Sequence, residues 1–291
     1  MQKSLPVVTK KEKIKRVIFV WNYVEWGGAQ IYFLSIIKNA PPDWQFTIVL
    51  PSNSKPELIS FFEPYGVEFD FIEPLTEQIA AETVSDKLQR QRRRIAGERQ
   101  IYRHLLKYDL RNVVVHIEVA PWQSWILLYF LSRRTNVFVT MHNALPENAP
   151  GWRKTLWKTR LNFIFSRRTF HQFAANQNAV DSLKKFVKPK FWNKLILSRA
   201  SINVTEIEMI AGLEIDREAA RRKLNLPESK FFVLCVGQFI DRKGRWVFLE
   251  SVKKISAANR DIFFVWLTQQ KPDEKDERKI ADFEVSDSFR L

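Results

Sequence analysis

The sequence predicts an α/β protein built from two doubly wound parallel sheets, the second smaller than the first. Three observations predict it. Short, uninterrupted runs of β-branched and aromatic residues, of the kind buried on both faces of a parallel sheet, recur along the chain. Stretches with apolar residues at helical spacing separate these runs, which is the strand–helix alternation of right-handed crossovers. A strand followed by a glycine loop and a helix occurs near the start, at residues 16–38, and again at residues 231–255.

Residues 16–20 (RVIFV) read as the first buried strand. Gly27 and Gly28 follow, then a helix over 29–38 with Ile31, Leu34 and Ile37 at helical spacing and no Pro or Gly inside. Paired glycines let a ligand approach the backbone closely, and the helix N-terminus behind them favours negative charge. An ordinary strand-to-helix turn reads the same way. Residues 45–51 (QFTIVLP) read as a second strand, 57–64 as a short helix stopped by Pro64, and 67–72 (VEFDFI) as a third strand. Residues 85–108 form a long, strongly basic helix, with Ile95, Ile101, Leu105 and Leu106 as its buried stripe and Arg90 to Arg94 and Arg99 outward. That outer face is either solvated or a contact for phosphate or membrane.

Residues 112–119 (NVVVHIEV) are a fourth strand and 122–131 an aromatic helix. Residues 136–141 (NVFVTM) are a fifth strand that runs into His142 and Asn143. Residues 152–165 set Trp152, Leu156, Leu161, Ile164 and Phe165 against Arg153, Lys154, Lys158 and Arg160. This pattern suits an interfacial membrane helix, and equally a helix packed on the sheet with a basic outer face. Residues 173–176 read as a short sixth strand and 179–186 as its helix. Residues 202–217 have no clean period and read as a hinge, and 216–224 as a short charged helix. In the second domain, from about residue 229, 231–236 (FFVLCV) are a buried strand, 237–244 a loop, 246–255 a helix and 262–267 (IFFVWL) the next strand. Residues 271–290 are charged and weakly patterned, so this domain reads as incomplete. The expected layout is a basic tail over 1–14, a first domain over 15–205, a linker over 206–228 and a partial second domain over 229–291.

The 291 residues are 45% hydrophobic and 13% aromatic, enough for real cores and against global disorder. One cysteine, Cys235, excludes a disulfide framework or thiolate metal cluster and fits a reducing cytosol. The basic, polar start has no signal-peptide core, and the longest apolar run, 125–131, is far too short to span a bilayer. A soluble, cytoplasmic protein is expected, with peripheral contact to the inner face of a membrane as an extension. Lys and Arg total 47 against 32 Asp and Glu, a net charge of +15. Nucleic acid, an anionic membrane and a phosphorylated ligand would each answer that charge. No helix-turn-helix, zinc-finger or RNP pattern supports nucleic acid. His104, His116, His142 and His171 are scattered without carboxylate pairs at ligand spacing, so no metal site is expected. No G-x-S-x-G elbow or Walker loop is present.

Two α/β domains joined by a hinge, each with a glycine loop after its first strand, are expected to face a cleft for a phosphorylated ligand. The chain resembles the GT-B glycosyltransferases, specifically the retaining glycosyltransferase family 4. Five places carry the resemblance: Gly27-Gly28-Ala29-Gln30; Thr140-Met141-His142-Asn143 at a strand end; residues 173–176 before a helix; Ile202-Asn203-Val204 at the domain junction; and residues 236–244 (VGQFIDRKG), which look like the family's V-G-[RQ]-x(4)-K-G loop. The resemblance implies a GT-B fold of two Rossmann-like domains, the second incomplete, and an enzyme that moves a sugar from a nucleotide sugar to a glycan, polysaccharide or lipid-linked acceptor with retention. It implies no metal and no cofactor beyond the donor.

By the same resemblance, Gly27 and Gly28 meet the donor's diphosphate or the acceptor. Gln238, Arg242 and Lys243 hold the phosphates, and Lys243 neutralises the leaving diphosphate. His142 sits near the transferred sugar, with Gln30 and Asn143 on the acceptor side. Read alone, His142 fits a structural strand-end histidine and Lys243 a surface lysine. The departures are Gln238 where many relatives have Arg, Asn176 where serine is common, and no E-x7-E element in its usual glycine-containing context. Asp276 and Glu284 have that spacing by coincidence. Those departures motivate a second reading, a truncated, inactive relative that serves as a binding module. A nucleic-acid-binding protein is the third.

Overall fold

The computed structural model describes residues 15–22, 28–73, 83–199, 204–212, 216–268 and 272–291. The chain divides into two compact units, Met1–Val204 and Thr205–Leu291.

The first unit holds a seven-stranded parallel sheet in the order β3-β2-β1-β4-β5-β6-β7. Its strands are β1 (Lys15–Val20), β2 (Trp44–Pro51), β3 (Glu68–Ile72), β4 (Val113–Ile117), β5 (Asn136–Met141), β6 (Phe170–Ala174) and β7 (Leu195–Leu197). The helices are α1 (Gly28–Lys38), α2 (Pro56–Ser60), α3 (Val84–Leu105), α4 (Trp125–Ser132), α5 (Gly151–Phe165) and α6 (Gln177–Lys184). Strand order reverses direction between β1 and β4, the doubly wound arrangement. Side-chain alternation along β1 feeds two cores. Val17, Phe19 and Trp21 pack with Tyr32, Phe33 and Leu34 of α1 and Leu58 of α2. Ile18 and Val20 pack on the opposite face with Ile101 and Leu105 of α3, Leu127 and Leu128 of α4, and Ile164 and Phe165 of α5.

The second unit holds a three-stranded parallel sheet, β10-β9-β8, from β8 (Phe231–Val236), β9 (Ile262–Leu267) and β10 (Phe289–Arg290). Helix α9 (Arg245–Ala258) contributes Leu249 and Val252 to a core with Phe264, Trp266, Val285 and Phe289.

Several expectations need correction. Phe231, Leu234 and Val236 of β8 are exposed rather than buried, and among the described residues β8 pairs with β9 alone. The expected hinge contains helix α7 (Val204–Ala211). It precedes α8 (Arg217–Lys223), whose first turn is capped by Asp216 accepting from the Glu218 and Ala219 amides. The weakly patterned 271–290 segment forms α10 (Glu274–Ala281), with Asp273 as N-cap, Glu274, Asp276 and Glu277 in the first turn and Arg278 and Lys279 in the last. Leu106 of the expected stripe is exposed. Arg93 and Arg94 are half-buried rather than outward. No helix among the described residues is long and apolar enough to cross a membrane.

Helix α3 is capped at its start and tied to the sheet at its far end. Thr83 and Asp86 form a reciprocal capping box at its start. At its far end Asp70 of β3 accepts from Lys107 Nζ (2.6 Å) and the Tyr108 hydroxyl, and lies 2.7 Å from His104 Nε2. Burial alone would raise the Asp70 carboxyl, but the hydrogen bonds from Lys107, Tyr108 and His104 outweigh it and hold it below the usual carboxylate range. Because the folded pKa is lowered, this stabilisation is complete above the ordinary value of about 3.9 and is lost as pH falls through the lowered one. Asp70→Ala is expected to cost about 1–3 kcal/mol at neutral pH in chemical denaturation. The difference from the unsubstituted chain should shrink on acidification below pH 4.

Candidate functional site

The crevice where the strand order reverses is set by β1 and β4. The Glu118 amide, just past β4, donates to Val20 O of β1 (3.1 Å), holding the two strand ends together. The Glu118 side chain is only 7% exposed, and its Oε2 lies 3.4 Å from His142 Nε2, an ion-pair separation rather than a tight hydrogen bond. His142 follows β5 directly. Its ring stands edge-on to Tyr32 (5.8 Å between centroids, 87°), and its carbonyl accepts from Asn176 Nδ2 (2.7 Å). Asn176 also caps α6 by accepting from the Ala179 amide (2.9 Å), so one residue anchors both the helix and the histidine backbone. Tyr32 donates to Ser198 Oγ (2.7 Å), and burial raises its pKa, so its hydroxyl stays protonated.

The neighbouring His116 has a different character. It is buried, packs against Phe33 (4.9 Å) and has Nε2 2.8 Å from Thr140 Oγ1. Burial first, and then the like charge of His142, pushes its pKa down to about 3. His116 is therefore a neutral support, and His142 presents the half-exposed imidazole of the crevice. A carboxylate behind an imidazole orients the ring and favours its hydrogen bonding to a hydroxyl in front of it.

Between the same strand ends and helices α3 and α5 lies a cavity of about 790 Å³. Val20, Trp21, Ile117 and Glu118 form its floor. Arg90, Arg93 and Arg94 of α3 line one wall, and Trp152, Arg153 and Arg160 of α5 the other. Leu161, Ile164 and Phe165 of α5 are in the core, while Trp152 is 65% exposed. The expected apolar stripe of α5 is thus core only in its second half.

In the second unit, the loop after β8 turns at Gly237, whose φ of +146° lies in the region that favours glycine. Its amide donates to Leu267 O (2.9 Å) and its carbonyl accepts from Trp266 Nε1 (2.8 Å). A Cβ at this position would stand 3.9 Å from Lys243 Cε, so the Lys243 side chain runs across Gly237. A 3-10 turn over Asp241–Lys243 and Gly244 (φ +76°) then open α9. The cations here differ in their partners. Arg245 pairs with Asp241 (2.8 Å) and Asp276, donates to Phe239 O (2.9 Å), and stacks on Trp246 (4.3 Å). Arg242 and Lys243 are exposed and make no ion pair among the described residues. Asp276 is thus a partner of Arg245 within the fold.

The predicted site residues fall into two groups. His142 and Asn143 lie at the end of β5, with Asn143 exposed, and Gly28 begins α1. Gln238, Arg242 and Lys243 lie on the Gly237 loop, all exposed. Gly27 lies outside the described residues, as do Ile202 and Asn203. Gln30 is 1% exposed, so its amide is packed into the fold instead of facing an acceptor. Sequence reasoning missed Glu118, although a lone acid inside the largely apolar run VVVHIEV was a signal. It also missed Arg93, Arg94 and Arg160 as cavity walls.

No protein-family model matches the chain, and no curated protein matches it in sequence. Solved structures do match in fold. A glycosyltransferase from Rickettsia africae aligns with a TM-score of 0.61 at 15% identity, over 96% of this chain and 68% of that one. Anabaena HepE, solved with UDP-glucose, aligns with a TM-score of 0.63 at 10% identity, over 94% and 68%. A UDP-N-acetylglucosamine 2-epimerase from Rickettsia bellii aligns with a TM-score of 0.54 at 14% identity, over 96% and 68%. The fold this chain shares with them is the GT-B type, with Rossmann-like parallel sheets.

Two outcomes follow from the geometry. Gly237→Ala is expected to cost about 1–3 kcal/mol through backbone strain, read as a lower thermal midpoint, since the φ is strained for any side chain even where the methyl makes only ordinary contact. His116 should keep neutral-ring nitrogen shifts by NMR down to pH 5. Its folded pKa is depressed from 6.5 to about 3, so its contribution to stability is lost as pH falls below about 6.5.

Proposed function

We propose that the chain is a glycosyltransferase that moves a sugar from a nucleotide-sugar donor to a glycan, polysaccharide or lipid-linked acceptor, with retention of configuration. The observation that carries this reading is the Gly237 loop. It combines a strand end, a backbone left open by glycine, and two cations, Arg242 and Lys243, that no carboxylate neutralises among the described residues. Breaking the bond between a sugar and a nucleoside diphosphate leaves negative charge on the departing phosphate. A positioned lysine and backbone amides stabilise that charge where it develops. Lys243 takes this role, with Arg242 and Gln238 on the remaining phosphate oxygens. Gly27 and Gly28 offer backbone to the donor or acceptor. With side-chain cations meeting the diphosphate, no metal is called on.

In the first unit, His142, backed by Glu118, hydrogen-bonds a hydroxyl of the transferred sugar, and Asn143 faces the acceptor. UDP is the proposed nucleotide, supported by the fold shared with UDP-glucose-bound HepE. The exposed Trp152 on a basic helix suits an acceptor held at an anionic membrane surface.

The test is a panel of nucleotide sugars offered to the purified chain, with binding followed by calorimetry and turnover by release of nucleoside diphosphate in EDTA. Binding and diphosphate release are expected, with release falling at least 100-fold in Lys243→Ala and His142→Ala, of the order seen when one transition-state donor is removed. Epimerisation of the donor without transfer, or no binding at all, would overturn the reading.

A further inference from the structure

We propose that the cavity between α3 and α5 binds its ligand through oxyanions, and that the acceptor is therefore an acidic saccharide carrying phosphate or carboxylate groups. The word acceptor rests on the glycosyltransferase reading, whereas the anion site rests on the geometry of the first unit alone.

Among the described residues the lining carries six cations, Lys87, Arg90, Arg93, Arg94, Arg153 and Arg160, against two carboxylates, Glu98 and Glu118. Both carboxylates are already engaged. Glu98 lies 3.5 Å from Arg94, and Glu118 lies 3.4 Å from His142. Lys87, Arg90, Arg93 and Arg153 make no ion pair among the described residues. The excess is not a random surface run. Lys87, Arg90 and Arg94 follow one another at three- and four-residue spacing, so one face of α3 presents them together. Gly97, three residues on from Arg94, also lines the cavity.

Two of the arginines are held in place by neutral partners. Arg94 donates to Gln123 Oε1 (3.2 Å). Arg160 donates to Trp122 O (3.3 Å) and lies over the Trp125 ring (5.9 Å). Burial, and then the charge of Arg94, lowers the Arg160 pKa. Guanidinium groups fixed this way are prepared for bidentate contact with phosphate or carboxylate, and a concave wall of one sign focuses the field on such a ligand.

The other lining side chains favour a saccharide over a flat partner. Arg93, Arg94 and Arg160 are half-buried inside the concavity, where a bilayer surface does not reach but a sugar chain does. Trp152 and Trp157 stand on the α5 side and offer aromatic faces to the apolar faces of sugar rings. The volume of about 790 Å³ is that of a small-molecule site.

The experiment uses the whole chain and four probes: a glucuronate-containing oligosaccharide, a sugar joined by diphosphate to a short prenyl chain, a neutral oligosaccharide of equal length, and phosphatidylglycerol vesicles. Calorimetry at two salt concentrations is combined with tryptophan fluorescence. At least one acidic saccharide should bind ten-fold or more tightly than the neutral one and weaken as salt rises. Which one does so identifies carboxylate or phosphate as the recognised group. Arg90→Gln combined with Arg153→Gln, both exposed positions, should reduce that affinity at least ten-fold with an unchanged circular dichroism spectrum. Arg93→Glu should reduce it further. Equal binding of acidic and neutral saccharides, undiminished affinity in the variants, or vesicle binding without saccharide binding would each overturn the proposal. Binding of the acidic saccharide with no binding or turnover of nucleotide sugars would keep the anion site and remove the glycosyltransferase reading. Turnover onto neutral acceptors alone would keep that reading and overturn the acidic acceptor.

Discussion

The first unit depends on the pairing of β1 with β4. At that seam the winding of the sheet reverses, so helices leave to opposite faces and the strand ends are not covered by a crossover connection. The Glu118 amide bonded to Val20 O closes the backbone there and fixes where the Glu118 carboxylate stands. From this single register follow the contact with His142 on the next strand and the floor of the cavity. The seam is rigid because β1 is buried on both faces. Ile18 is fully buried on one side, and Phe19 is 2% exposed on the other. A one-residue slip would exchange the two cores, so packing on both sides opposes it.

The polar groups at this seam are arranged by desolvation as much as by contact. His116 and His142 stand at the ends of neighbouring strands, and burial keeps His116 neutral. His116 is kept neutral among Phe19 and Phe33, leaving His142 beside the Glu118 carboxylate. The aromatic packing under α1 thus has an electrostatic consequence as well as a stabilising one.

Much of the fold was legible because parallel strands buried on both faces announce themselves. β5, β8 and β9 have the bounds that their apolar runs give. The misses have physical causes. β7 and β10 are three and two residues long, too short for a periodic signal. Helix α10 has little apolar patterning, and its evidence lay in Asp273 as cap and in charges that follow the helix dipole. For the site, the Gly237 loop was visible as a motif, but the difference between Arg242 and Arg245 was not. It depends on Asp276, thirty-one residues away from Arg245, and on the Trp246 ring. Arg93 and Arg94 were legible as charges but not as cavity walls, since helical periodicity alone does not say what stands opposite a polar face.

The contrast among the basic residues shows how the protein separates structural from available charge. Arg245 is saturated by two carboxylates, a carbonyl and an aromatic face, and so serves to hold the start of α9 against the loop that precedes it. Lys243, two residues earlier, crosses Gly237 and keeps its ammonium unpaired among the described residues. Lys194 likewise spends its donors on the Phe165 and Arg167 carbonyls inside the first unit. Where the chain needs a cation for its own architecture it therefore supplies acceptors. At the Gly237 loop, and along the α3 wall at Arg90 and Arg93, it supplies none among the described residues. Electrostatic self-repulsion at those places is a standing cost, and an incoming anion is the partner that removes it.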